Sequence, residues 1–144
     1  MTEQQQLIKD YLEAIRTMEA RIDAKALRVR ELEARAVYTT TQYGRIGVSH
    51  GIENARENLL AKLIDDKTDL LNQIAKLEAE KKQALDMLDS IKDEQTYRAM
   101  HEHYILGKGW YDVAKSLKAS YQWINRLHNR GLAAIAEKYE AHTA

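Results

Sequence analysis

The chain has 144 residues, with 22 Lys plus Arg against 22 Asp plus Glu and therefore no formal net charge, a length that holds one compact domain or two small modules. Apolar residues make up 44% and charged residues 31%, which is too apolar for a disordered tail and too charged for a membrane span. The longest apolar runs, such as Leu59-Leu60-Ala61, fall far short of the ~20 residues that a transmembrane helix needs.

There is no Cys, which excludes a disulfide scaffold and a thiolate zinc site. The start, Met1-Thr2-Glu3-Gln4-Gln5-Gln6, has no basic patch followed by an apolar stretch, so it does not read as a signal peptide and the expected compartment is the cytoplasm. There is also no Pro. Since Pro breaks helices, its absence, together with abundant Ala, Leu, Glu, Lys, Gln and Arg, predicts long uninterrupted helices.

From Glu3 to Ala36 the apolar residues follow a seven-residue repeat, with Ile8, Ile15, Ile22, Val29 and Ala36 in one row and Tyr11, Met18, Lys25 and Leu32 in the other. A helix of this length is ~50 Å long and needs a partner along its whole extent. Residues 38–51, with Thr39, Thr40 and Thr41 followed by Gly44, Gly47 and Gly51, read as a loop. Beyond it the heptads return: Leu60, Lys67, Ile74, Lys81 and Leu88 form one row, and Leu63, Leu70, Leu77, Ala84 and Ile91 the other, with Ser49 placed to cap the second helix.

Two helices of similar length, each with one apolar stripe, most simply fold back as an antiparallel hairpin. The same periodicity also suits a pairing of each stripe with its copy in another chain. Either way the expected architecture is all-α: a long antiparallel coiled-coil hairpin over 1–92, with its loop at about 37–51, then a three-helix helix-turn-helix module over 93–144. A two-helix hairpin covers little apolar area, so it is expected to form a homodimer or higher homo-oligomer, or to lean on the C-terminal module. Lys25, Lys67 and Lys81 sit in the apolar rows, where they can either fix pairing register or lay their stems along the seam with the ammonium in water.

Charge is uneven along the chain. Residues 1–36 carry seven bases against seven acids, residues 53–93 seven against ten, and residues 94–144 seven against five. Lys115, Lys118, Arg126 and Arg130 lie between Asp112 and Glu137 with no acid among them, a local basic face within a neutral chain.

In the last third, Tyr97, Met100, Tyr104 and Ile105 give a helix that stops at Gly107-Lys108-Gly109. Trp110 to Leu117 gives a second, with Trp110, Val113, Ala114 and Leu117 inside. After a break at Lys118-Ala119, Ser120 caps a third helix at about 120–136, with Ile124, Leu127, Gly131 or Leu132, and Ile135 inside. On its outer side Tyr121, Gln122, Asn125, Arg126 and Asn129 are hydrogen-bonding side chains at helical spacing. A helix so presented fits the major groove, where Gln and Asn pair with adenine edges and Arg with guanine; Ser120, Lys115, Lys118 and Arg130 suit phosphate oxygens. The competing reading is a solvated polar face on an ordinary helical bundle.

The run from Gly109 to Leu132, Gly-Trp-Tyr-Asp-Val-Ala-Lys-Ser-Leu-Lys-Ala-Ser-Tyr-Gln-Trp-Ile-Asn-Arg-Leu-His-Asn-Arg-Gly-Leu, resembles the promoter-recognising region 4 of bacterial sigma factors. It is more similar still to phage and prophage late-gene transcription regulators of the ArpU-like kind. In those proteins a long helical region precedes a helix-turn-helix with a similar Trp-x-x-Val/Ile-Ala and Ser-x-x-Trp-Val/Ile-x-Arg-Leu-His pattern. The likeness is good over 97–135 and loose over the rest. It implies a sequence-specific DNA-binding regulator with base and backbone contacts on Ser120, Tyr121, Gln122, Asn125 and Arg126, and with double-stranded DNA as partner. Tyr121 and Gln122 stand where basic residues are frequent in that pattern, and Lys118 where Gly or another permissive residue is common. Two other functions use similar parts: an adaptor that binds RNA polymerase or a sigma factor without reading DNA, and a small DNA-packaging (terminase) subunit.

Other constellations carry less. His101-Glu102-His103 lacks the one-turn His spacing of a zinc-protease helix and is expected to serve surface or packing roles. His128 is expected on the helix surface or at an interface. The Gly44–Gly51 segment lacks the Lys-Ser/Thr ending and the preceding strand of a phosphate loop. Trp110 and Trp123 are of a type that stacks on nucleic acid, but Trp110 reads as core, and Trp123, between two outward positions, suits either nucleic acid or a partner protein. No catalytic set emerges, so the expectation is a non-enzyme without metal or cofactor.

Overall fold

The computed structural model describes residues 1–43 and 50–143. Among them are five helices and no strand: α1 (Glu3–Tyr43), α2 (His50–Leu88), α3 (Glu94–Tyr104), α4 (Trp110–Leu117) and α5 (Tyr121–Thr143). No described helix is long and apolar enough to cross a membrane.

The first helix runs further than the sequence suggests. Residues 37–43 and 50–51 are helical rather than loop, whereas 44–49, including the Ser49 cap, lie outside the described residues. Thr costs a helix interior no more than ~0.7 kcal/mol relative to Ala. That is too little to stop a helix which gains one backbone hydrogen bond per added residue.

The chain forms two compact units, Met1–Glu19 with Leu77–Ala144, and Ala20–Lys76. The beginning of α1 and the end of α2 thus belong to the same unit as the C-terminal helices.

In the Ala20–Lys76 unit the α1 and α2 segments run in opposite directions. Lys25 meets Asp69 at 3.7 Å and Glu33 meets Lys67 at 2.8 Å, so partners rise along one helix as they fall along the other. Val29, Ala36 and Leu63 are buried, with Leu32, Leu59 and Leu70 packed on them. The α1 row is as the heptads place it, since Ile8, Ile15, Ile22, Val29 and Ala36 are all buried. On α2 one expected seam row is displaced over its first half only, since its last member, Leu88, is fully buried. Leu63, Leu77 and Ala84 are buried, but Leu60 and Ile74 are exposed, because Leu59 rather than Leu60 joins Leu63 and Leu70 against α1.

In the other unit Tyr11 donates to Glu80 at 2.8 Å and Lys81 to Glu19 at 2.9 Å. Each lysine in the apolar rows thus finds a carboxylate on the opposite helix: Lys25 with Asp69, Lys67 with Glu33, Lys81 with Glu19. Pairs this exposed add little stability individually, but their fixed partners favour one register over its neighbours.

After α2, Ser90 turns the chain by donating to the Met87 carbonyl at 2.7 Å. Asp93 then caps α3, accepting from the Thr96 hydroxyl at 2.6 Å and its amide at 3.2 Å. These two hydrogen bonds hold the Asp93 carboxyl below its ordinary range. Helices α3, α4 and α5 pack on one another around Ala99, Val113, Ile124 and Leu127, with Trp110, Leu117 and Trp123 at the edge.

Candidate nucleic-acid interface

The site is built on the junction between α4 and α5. α4 ends in a Schellman motif: the Ala119 amide donates to the Ala114 carbonyl at 3.0 Å and the Lys118 amide to the Lys115 carbonyl at 3.2 Å. The motif requires a left-handed residue, and Lys118 supplies it with φ 52° and ψ 44°. Ser120 then accepts from the Trp123 amide at 3.1 Å, the hydrogen bond of an N-cap.

From that cap, α5 sorts its side chains by spacing. Ile124, Leu127, His128, Gly131, Leu132, Ile135 and Ala136 are buried, whereas Tyr121, Gln122, Asn125, Arg126, Asn129 and Arg130 are exposed. Ser120, Lys115 and Lys118 are exposed as well, so all nine candidate residues lie on the surface of this unit. Two of the cations rest on aromatic rings: Lys115 lies 5.2 Å from the centre of Tyr111 and Arg130 5.0 Å from that of Trp123. Trp123 is half-buried and donates its indole N–H to Gln95 at 3.3 Å, so it packs within its own unit.

Buried polar groups fix the angle at which α5 is held. Of the two places expected for His128, the helix surface or an interface, it takes the second: it is buried, and its Nε2 lies 2.7 Å from the Tyr104 hydroxyl. This joins α5 to α3. A His at this position sits one turn after Ile124 and one residue past Leu127, so it belongs to the inner face by spacing alone. Burial, with the charges of Lys9 and His103, pushes its pKa down to about 4.

Of the His101-Glu102-His103 run, His101 stacks on Tyr97. His103 stacks on Trp110 with centroids 3.6 Å apart and places Nδ1 2.7 Å from the Lys108 carbonyl. A carbonyl only accepts, so Nδ1 carries the proton. Nε2 is left without a hydrogen-bond partner, 3.6 Å from Glu13. Burial and the Arg16 charge lower the His103 pKa against the opposing pull of the Lys108 carbonyl and Glu13. Glu102 is buried and accepts from Lys108 and Ser116, each at 2.7 Å, which ties α3 to α4. Burial pushes its carboxyl up, but those hydrogen bonds and the nearby cations outweigh it and leave the pKa low.

Sequence reasoning allowed the hairpin to lean on the C-terminal module but did not name the α1 residues involved. Lys9 and Glu13, one turn apart, border a cleft of about 240 Å³ with Tyr121 and Asn125, and His128 and Trp110 also line it. No local signal in residues 9–13 points to this, since the contact joins segments more than 100 positions apart. Compared with known proteins, the chain matches no protein-family model, no curated protein and no solved structure.

Proposed function

We propose that this chain is a phage-type, sequence-specific DNA-binding transcriptional regulator. In this reading α1 and α2 form an antiparallel coiled-coil hairpin that joins copies, and α3, α4 and α5 form a sigma-region-4-like helix-turn-helix. The leading turns of α5 then enter the major groove, about 12 Å wide and able to admit one helix. The observation that carries the reading is the sorting of α5: its apolar face is buried and its Gln122, Asn125, Arg126 and Asn129 face is exposed just past the Ser120 cap. The resemblance of residues 109–132 to promoter-recognising modules supports the same conclusion.

The test is a fluorescence-anisotropy titration of the pure protein against DNA selected from a random pool. Arg126→Ala should weaken binding to the selected site by roughly 5- to 150-fold, the worth of one bidentate base contact at ~1–3 kcal/mol, and added salt should weaken it steeply. An unchanged affinity for the variant removes Arg126 from the reading face.

A second reading, an adaptor for RNA polymerase or a sigma factor, is favoured by two exposed tyrosines, Tyr111 at 69% and Tyr121 at 66%, and by an acid, Glu13, that lines the same cleft as Tyr121 and Asn125. Recovery of polymerase on the immobilised protein, with no DNA selected by the pure protein, would decide for it.

A further inference from the structure

The residues of α2 that turn away from α1 form a second apolar stripe. Leu60 and Ile74 are each 37% exposed, Ile64 is 64% and Leu71 67%. Their spacing of 4, 7 and 3 residues puts them on one face of the helix. Ala61, Thr68 and Ala75 are exposed on the same face. The four large side chains leave roughly 400 Å² of apolar surface, within the range of the largest patch on a typical monomer and often functional there.

Reversed end for end, the stripe is complementary to itself. About a centre between residues 67 and 68, Leu60 exchanges with Ala75, Ala61 with Ile74, Ile64 with Leu71, and Lys67 with Thr68. Laid antiparallel on a copy of itself, the helix therefore sets large side chains against small ones at both ends and aliphatics against each other between. Near the axis each Lys67 faces a Thr68 rather than the other lysine. The only charge on the stripe is already neutralised, since Lys67 donates to Glu33 of its own chain at 2.8 Å.

We infer that the outer face of α2 is an isologous docking surface for a second copy of this chain, with the two α2 helices antiparallel and Ile64 of each against Leu71 of the other. A two-fold interface demands such self-complementarity. A neutral aliphatic stripe offers nothing to a phosphate backbone, and the two copies together approach the ~1,000 Å² at which specific interfaces begin. Area at that lower limit places it among the small interfaces, where association is weak and depends on concentration. The inference rests on the self-association in the proposed function and gives it a surface, independently of whether α5 reads DNA.

Sedimentation equilibrium of the full chain should show the 16.6 kDa protomer giving way to a dimer with rising concentration. Leu71→Lys should raise the dissociation constant at least tenfold with helical circular dichroism unchanged. The chain has no Cys, so introduced thiols report register directly. An equimolar mixture of Ile64→Cys and Leu71→Cys chains should give covalent dimers with a short bis-maleimide, and each variant alone far fewer. A chain still monomeric at about 100 µM, a dimer indifferent to Leu71→Lys, or preferential linking of like with like would each overturn the inference. A loss of helicity in Leu71→Lys would leave the decision to the thiol pairs. A dimer that ignores DNA would refute the proposed function alone, and a monomer that reads DNA would refute only this interface.

Discussion

Lys118 adopts a left-handed conformation, φ 52° and ψ 44°, at the end of α4, and this is the only described residue other than glycine with positive φ. For a side chain with a Cβ that conformation costs ~1–2 kcal/mol. Glycine avoids the cost but surrenders ~0.5–1 kcal/mol through the greater freedom of its unfolded chain. The difference favours Lys118→Gly by about 0.5–1 kcal/mol. For a chain of this size, that raises the melting temperature by roughly 2–4 °C.

Lys118→Ala is the control, because it removes the ammonium and keeps the Cβ. Its melting temperature should stay close to that of the parent. Thermal melts of the three proteins by circular dichroism, in one buffer and at one concentration, are sufficient. A glycine variant no more stable than the alanine variant would mean that the Schellman turn, with its Ala119-to-Ala114 and Lys118-to-Lys115 hydrogen bonds, does not strain residue 118. The account of the α4–α5 junction would then fail.

Gly131→Ala should act in the opposite direction. Alanine is worth ~1 kcal/mol more than glycine inside a helix, but a Cβ at 131 would lie 2.7 Å from Cγ, 2.9 Å from Sδ and 3.0 Å from Cε of the fully buried Met100. Overpacking of that kind costs ~1–3 kcal/mol, so urea denaturation should show a net loss of about 1 kcal/mol, and a gain would contradict the close approach of α3 and α5. Acid should destabilise the fold before its carboxylates titrate: His128 is held down to about 4 in the folded chain against ~6.5 unfolded, so the unfolded state binds the extra proton between those values. Stability is then complete above pH 6.5 and falls by about 2–3 kcal/mol towards pH 4, with His103 shifted in the same direction. Equal urea midpoints at pH 7.5 and pH 5, or the same slope in His128→Gln, would contradict the burial of this imidazole.

What could be read in the sequence follows from which forces are local. The Ser120 cap of α5 and the Gly107-Lys108-Gly109 break before α4 were legible, because caps and breakers act within a few residues. The α1 row from Ile8 to Ala36 was legible because only one stripe of that helix is apolar. α2 has three adjacent rows with aliphatics, led by Leu59, Leu60 and Leu63, and nothing within α2 says which two face α1. That choice is made by the partner helix, where Val29 and Ala36 pack on Leu63, with Leu59 and Leu70 beside it. The spacing from Ile124 and Leu127 places His128 on the inner face, but the charges that act on it and on His103 were hidden: they come from Glu13, Arg16 and Lys9 of α1, and no periodicity in the C-terminal helices reports a neighbour that far back in the chain.

The balance of charge links the two surfaces. A chain with no net charge gains little from long-range steering towards DNA, so in the proposed function attraction depends on the local cations Lys115, Lys118, Arg126 and Arg130. Each phosphate neutralised contributes about 0.9 to the slope of log affinity against log salt. One copy can therefore supply a slope of at most about 4, and two copies joined through α2 about twice that. A steep slope that Leu71→Lys roughly halves is what a dimer held by its aliphatic stripe and read through two α5 helices requires. A slope that stays near 4 in both proteins would separate DNA reading from dimerisation, whatever the sedimentation result.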